Sequence, residues 1–371
     1  MARKRPVRGA GTIVMLEHRS KVLAENPLGD PHVRRLAVWL PPQYDRRRSG
    51  PGARFPVLMD MVGFTGSGPA HLNWKPFSEN LAERAARLIH DKRMGPVILV
   101  MPDCFTSLGG NQYVNSTAIG RYADYLVDEI VPFVDREFRT LASREHRGCF
   151  GKSSGGYGAI IHGMRYARHW GAVADHSGDA YFEFIYHCDW PNTLNVLAKY
   201  RQPARKAGRQ VPAEVARGDR RLMQGFDDGR AKRFLDAIWA KPKLSHAEGM
   251  AIMNVCMAAT YDPDPKAPLG FRFPFHLETG EAVPGRWRRW MRHDPVNLVA
   301  RYRRSLRSLR GIYIDCGWRD QFHIHYGTRM LSKRLSAAGI AHRYEEFDDD
   351  HSDVDYRMDV SLPFLYRALR P

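Results

Sequence analysis

Residues Gly148-Cys149-Phe150-Gly151-Lys152-Ser153-Ser154-Gly155-Gly156-Tyr157-Gly158 set Ser153 between two glycines, directly after an apolar run and directly before a helix-like one. A serine hydroxyl attacks an acyl carbon only if it stands clear of its own backbone, near a base and beside N–H groups that can hold an oxyanion. A sharp strand-to-helix turn supplies all three, and its crowded backbone calls for residues without a Cβ at Gly151 and Gly155. Taken alone, the five-residue pattern is equally that of an ordinary Gly-rich turn, since the chain has 32 glycines. The flanks favour the nucleophile turn: residues 145–150 can end in a short buried strand, and residues 156–164 put small side chains into the first turns of a helix, as close helix-to-sheet approach requires.

A serine nucleophile needs a base and a group that orients the base. In chain order these are expected as serine, acid, histidine, the latter two on loops after late strands. The strand-like run 311–316 is followed by Gly317-Trp318-Arg319-Asp320-Gln321-Phe322, and the run ending at Phe347 by Asp348-Asp349-Asp350-His351-Ser352-Asp353. Asp320 is assigned as acid and His351 as base. Asp315 lies inside its strand, where a carboxylate does not swing to the loop face. His176, His323 and His325 are further candidates to line the site. The Asp run beside His351 is read as a solvated loop, and no metal is expected.

The oxyanion of a tetrahedral intermediate needs two backbone donors. One is the N–H of Ser154, after the nucleophile. The second is expected from the loop Gly63-Phe64-Thr65-Gly66-Ser67-Gly68, with Phe64 the choice and Gly63 permitting the tight turn; an ordinary Gly/Ser connection is the alternative. Trp74, Tyr157, Trp318 and the loop 106–116 are candidates to line a mainly apolar substrate pocket, with ordinary packing the more common role for any single one of them.

These residues need a sheet to carry them. Runs 55–62 and 96–101 are nearly continuous and apolar, like central parallel strands, while 11–22 and 33–40 read as antiparallel edge strands. Residues 171–176, 311–316 and 342–347 are further strands, and 78–89, 326–338 and 355–370 are helices. Across 121–138, Leu126, Ile130, Val134 and Phe138 form one helical stripe that Pro132 is expected to kink or end. The strand–helix alternation indicates an α/β architecture. Residues 183–296, rich in Arg, Pro, Trp and Met, break that rhythm, with helix-like pieces at 211–221, 231–238 and 246–257. They are read as a helical cap inserted between core segments 1–182 and 297–371, over the strand ends where ligands of open α/β sheets bind.

At 371 residues and 43% hydrophobic, the chain can bury a large core, and it contains no apolar run of 18 or more residues that would span a bilayer. The basic start, residues 1–8, precedes an apolar stretch of only residues 12–16, too short for a signal peptide, so a cytoplasmic protein is expected. Cys104, Cys149, Cys188, Cys256 and Cys316 are scattered and odd in number, which argues for buried free thiols rather than disulfides or zinc. The net charge of +17 is spread over several arginine clusters without a nucleic-acid motif. It fits attraction of anionic substrates or surfaces better than specific nucleic-acid binding. The oligomeric state is open, and a homo-oligomer is compatible with the sequence.

Segments 56–64, 97–103, 122–138, 150–159, 312–322 and 347–352 together resemble the putative-esterase family of α/β-hydrolases, which includes esterase D (S-formylglutathione hydrolase), enterochelin esterases, feruloyl esterases and mycolyltransferases. The resemblance implies an α/β-hydrolase fold, with a mostly parallel central sheet flanked by helices. It implies a serine carboxylesterase acting on a small-molecule ester without a cofactor. The family's nucleophile falls on Ser153, its acid on Asp320, its base on His351 and an oxyanion N–H on Phe64. Lys152 and Ser154 depart from the commoner G-H-S-M-G-G, and the large cap is unlike esterase D; both departures bear on the substrate. An acyltransferase with the same triad, or a non-catalytic binding protein on this scaffold, are the alternatives.

Overall fold

Apolar runs with no alternation to turn toward water must be covered on both faces, and here they become the inner strands of one sheet. The computed structural model describes residues 10–45, 47, 50, 52–201 and 227–371. Its eight strands are β1 (Thr12–Arg19), β2 (Val33–Leu40), β3 (Val57–Met61), β4 (Ile98–Pro102), β5 (Arg147–Lys152), β6 (Ala172–His176), β7 (Gly311–Gly317) and β8 (Arg343–Phe347). Their spatial order is β1-β2-β4-β3-β5-β6-β7-β8. β2 is antiparallel to β1 and to β4, and every other neighbouring pair is parallel. Every residue of β3, β4 and β6 is buried.

Only β1 is an edge on that side, since β2 lies one place in from it. β1 also stops earlier than the sequence suggests. The Glu129 carboxylate accepts from Ser20 Oγ and from the N–H groups of Lys21 and Val22, drawing residues 20–22 out of the ladder.

Successive side chains of each strand go to opposite faces. Leu58, Leu99, Phe150 and Tyr313 meet helix α1 (Leu81–His90) on one side, while Val57, Met59, Val100, Cys149 and Ile312 face the opposite layer. Asn80 and Glu83 cap α1 reciprocally. The opposite layer includes α2, a helical run through Tyr122–Asp124, Tyr125–Ile130 and Val131–Glu137, whose middle part is π-wound. Pro132 does not break it. Proline has no N–H to give to the preceding turn, and the wider π turn accommodates its ring. Helix α3 (Ser154–Arg165) follows β5 in the same layer.

Between β6 and β7 the described insertion holds α4 (Trp190–Ala198), α5 (Arg230–Trp239), α6 (His246–Tyr261) and short helical pieces. The helix expected at 211–221 lies outside the described residues. α6 is apolar nearly all round and shares one hydrophobic cluster with α2 and α3. Ser116 Oγ donates to Ala259 O at 2.5 Å and Trp239 Nε1 to Ser107 O at 3.0 Å. The chain closes with α7 (Ile324–Ala337) and α8 (Met358–Leu369), the latter beside α1. Cys104, Cys149, Cys256 and Cys316 are buried free thiols, as expected, but Cys188 is exposed.

A buried polar network ties β6, β7 and α8 together. His176 Nδ1 lies 2.6 Å from Asp315 Oδ1, and His176 Nε2 lies 2.7 Å from Ser361 Oγ. Tyr313 OH and Arg357 Nε donate to Asp315 Oδ2 at 2.8 and 2.9 Å. Burial acts to raise the Asp315 carboxyl, but His176 and Arg357 hold it below the ordinary carboxylate value. A depressed pKa contributes stability above the unfolded value, and that contribution disappears as pH falls through the folded one. Asp315→Asn should therefore lower stability by about 3 kcal/mol at pH 7, with the gap to wild type narrowing below about pH 4. Denaturant melts at both pH values check this; a gap independent of pH would remove the ionised pair from the account.

Candidate active site

β5 ends at Lys152 and α3 begins at Ser154, so Ser153 stands alone between them with φ 58° and ψ −126°. A non-glycine residue holds such a backbone only when its surroundings fix it. Here Ser153 N–H donates to His176 O, and Tyr157 N–H donates to Ser153 O, both at 2.9 Å. A Cβ on Gly151 would lie 2.0 Å from Met61 O, and one on Gly155 only 1.7 Å from the same atom. The two glycines let β5 and α3 pass against the end of β3.

The turn after β7 carries Asp320, and the turn after β8 carries His351. Asp320 is buried; its Oδ1 accepts from Phe322 N–H at 2.9 Å, and its Oδ2 lies 2.7 Å from His351 Nδ1. His351 N–H donates to Gln321 Oε1 at 2.9 Å, and the Phe322 ring stands edge-on to the imidazole at 4.8 Å. With Nδ1 directed at a carboxylate, Nε2 is the nitrogen free to take a proton. Ser153 and His351 line one cleft of about 430 Å³.

Phe64 and Gly63 line the same cleft. Gly63 lies against the elbow, where an added Cβ would be 3.3 Å from Lys152 O. Thr65 N–H donates to Gly109 O and Gly66 N–H to Gly63 O, while the N–H groups of Phe64 and Ser154 have no partner among the described residues. The loop 106–116 lines no part of the cleft and instead supports it. Gly109 and Gly110 back the Phe64 ring, and a Cβ on Gly110 would sit 2.2 Å from Phe64 Cδ2. Gln112 Nε2 donates to Ser154 Oγ at 2.7 Å and to Asp179 Oδ2 at 3.2 Å, and Tyr186 OH donates to the same Asp179 oxygen at 2.6 Å. Burial raises the Asp179 carboxyl above its usual range, against those hydrogen bonds and the nearby His351.

The three aromatic residues expected to bind substrate lie elsewhere. Tyr157 is wholly buried against Phe182 and Tyr261, with its OH on His293 O, because its position one turn into α3 faces the insertion. Trp74 is 68% exposed on the loop after the turn Gly68–Leu72. Trp318 is half exposed beside the Arg319 guanidinium. His176 is sealed in its network with Asp315, and neither His323 nor His325 lines the cleft. The Ser361–His176–Asp315 chain has the hydrogen-bond order of a catalytic triad, but all three residues are buried away from the cleft.

The walls come instead from Val62, His71, Lys152, Phe322 and Asp355, and from His246, Gly249, Met250 and Met253 of α6. One sequence signal bore on His71. Asp60 interrupts the apolar run of β3 and is buried, so it needs a partner, and His71 Nδ1 meets it at 2.6 Å. Burial opposes protonation of His71, yet Asp60 raises its pKa above the ordinary value.

A family model described as putative esterase matches residues 31–361. Esterase MT1326 and Esterase Rv1288, from two strains of Mycobacterium tuberculosis, are each 33% identical over 91 residues, or 23% of this chain. The chain matches only 19% of the length of those relatives. Among solved structures, a ferulic acid esterase is 17% identical with a TM-score of 0.55, over 96% of this chain and 98% of its own. An S-formylglutathione hydrolase from Staphylococcus aureus is 14% identical with a TM-score of 0.53 over the same shares. Such identities speak for the fold alone, which is that of the α/β-hydrolases. The family match runs from the approach to β2 into α8, and the chain belongs to the putative esterase family.

Proposed function

We propose that this chain is a serine carboxylesterase with Ser153 as nucleophile, His351 as base and Asp320 as the carboxylate that orients it. The observation that carries the reading is the presence of Ser153, His351 and the Phe64 loop on one cleft, with Asp320 directly behind His351. His351 Nε2 takes the Ser153 proton as Oγ attacks the ester carbonyl. The carbonyl oxygen becomes an oxyanion held by the N–H groups of Phe64 and Ser154. His351 returns its proton to the departing alcohol, leaving an acyl-serine. Water, deprotonated by the same imidazole, then attacks the acyl carbon, and the acid leaves as Ser153 regains its hydrogen. Every step uses groups of this chain and water.

Residues 183–296 act in this reading as a cap that shapes the acyl pocket. Met250 and Met253, three positions apart on α6, face Phe64 and Phe322 around the cleft, an adaptable apolar lining for an acyl chain.

Ser153→Ala should abolish turnover of 4-nitrophenyl acetate and butyrate, and a fluorophosphonate probe should map to Ser153 in the wild type. Turnover by the variant equal to wild type, or a label on Ser154, would sink the assignment of the nucleophile. Asp320→Asn removes the charge that orients His351 while keeping the shape of the turn. Its kcat should fall by roughly 10⁴ with KM little changed, and a drop under tenfold would exclude Asp320 as the orienting acid.

A further inference from the structure

The chemistry above leaves the Lys152 ammonium unused. Lys152 ends β5 directly before Ser153 and lines the same cleft. His71, Lys75 and Asp355 gather near it. Asp355 sits on the turn Val354–Arg357 after His351, and its carboxyl is held below the usual range against burial by Lys75, with His71 and Lys152 adding to the effect. Three basic side chains therefore act on one carboxylate.

Direct partners then decide which charge remains. Lys75 Nζ donates to Asp355, and His71 is bonded to Asp60. Asp320, the other buried carboxylate acting on Lys152, is bonded to His351, and Asp353 is exposed. The Lys152 ammonium makes no hydrogen bond or ion pair among the described residues. Burial pulls it below the ordinary lysine value, with Asp355, Asp353 and Asp320 acting the other way. A half-buried cation has lost part of its hydration and gained no partner, so an anion entering the cleft meets less competition from water than at the surface. The wider charge of +17 draws anions toward the molecule, and Lys152, directly before Ser153 in the chain, brings part of that charge to the cleft that Ser153 lines.

We infer that Lys152 forms a subsite for a negatively charged group on the substrate, so that the preferred esters are those carrying a carboxylate or a phosphate within a few atoms of the scissile carbonyl. The inference rests on Ser153 being the nucleophile. The apolar wall of Met250, Met253 and Phe322 would hold the neutral part of the same molecule.

The test compares kcat/KM within matched ester pairs. Mono-4-nitrophenyl adipate against 4-nitrophenyl hexanoate places a carboxylate on the acyl arm. 4-Carboxyphenyl butyrate and 4-(butyryloxy)phenyl phosphate against phenyl butyrate place a carboxylate or a phosphate on the alcohol arm. At least one anionic ester should be preferred by the wild type tenfold or more, and the arm that wins identifies the source of the anion. That ratio should fall at least tenfold in Lys152→Gln, recover in Lys152→Arg, and shrink with added salt. No anionic preference in the wild type, or a preference that survives Lys152→Gln, overturns the subsite. The wild-type ratio needs no variant, so the inference stays refutable if Lys152→Gln does not fold. Neutral-ester turnover with fluorophosphonate labelling of Ser153 but no anionic preference would sink the subsite alone; no turnover and no labelling would sink the esterase reading with it.

Discussion

The contact of two glycines with one carbonyl governs the site. Gly151 of β5 and Gly155 of α3 both press on Met61 O at the end of β3, at distances no side chain permits. Strand, turn and helix are thereby locked into one geometry, and Ser153 is left at the reversal between β5 and α3. Its positive φ carries strain of about 1–3 kcal/mol. That strain persists because the Ser153 N–H and C=O are both engaged, one by β6 and one by α3. The backbone cannot relax without giving up a hydrogen bond on each side.

β7 and the turn after it carry two buried carboxylates five residues apart, each paired with a histidine, and the difference between them is access. Asp315 lies in the strand, and its partner His176 turns toward Ser361 beneath α8. Asp320 lies in the turn, and its partner His351 opens on the cleft. The inner pair joins β6 to β7, and β6 supplies the carbonyl that holds Ser153 N–H. So the inner pair braces the strand ends that the outer pair and the serine extend from.

What the sequence made legible follows the range of the interactions involved. The elbow is local, since Gly151, Ser153 and Gly155 fall within five residues, and the order of Ser153, Asp320 and His351 after β5, β7 and β8 follows from an apolar rhythm that any reader of the chain can count. The continuous runs of β3 and β4 were visible for the same reason. Pro132 misled because the compensation for a missing N–H was a π turn that propensity does not register. Tyr157, Trp74 and Trp318 do not line the cleft, because nearness in sequence to the elbow and the acid turn says nothing about which way a ring faces. The methionines that line the cleft, Met250 and Met253, lie about a hundred residues from Ser153 and reach it only through tertiary packing. Nothing periodic in the insertion announces that meeting. Asp60 was the exception, a carboxylate in an apolar strand that demanded a partner.

The packing of α6 also bears on how a substrate would be selected. Its N-terminus is fixed by the reciprocal Ser245 and Glu248 cap, its middle is buried in the same cluster as α2 and α3, and its last turns accept the Ser116 hydroxyl. Met250 and Met253 therefore belong to a wall continuous with the main core rather than to a separate flap. A wall of that kind discriminates by shape and apolar area, where one methylene is worth only about 1–3 kcal/mol. Charge discriminates more sharply, because a buried ionic group left without its partner is costlier than a gap in an apolar pocket. With the apolar side of the cleft built into the core, the residues that set its charge are Lys152, the Lys75–Asp355 pair and the His71–Asp60 pair, and those two pairings leave Lys152 without a direct partner among the described residues.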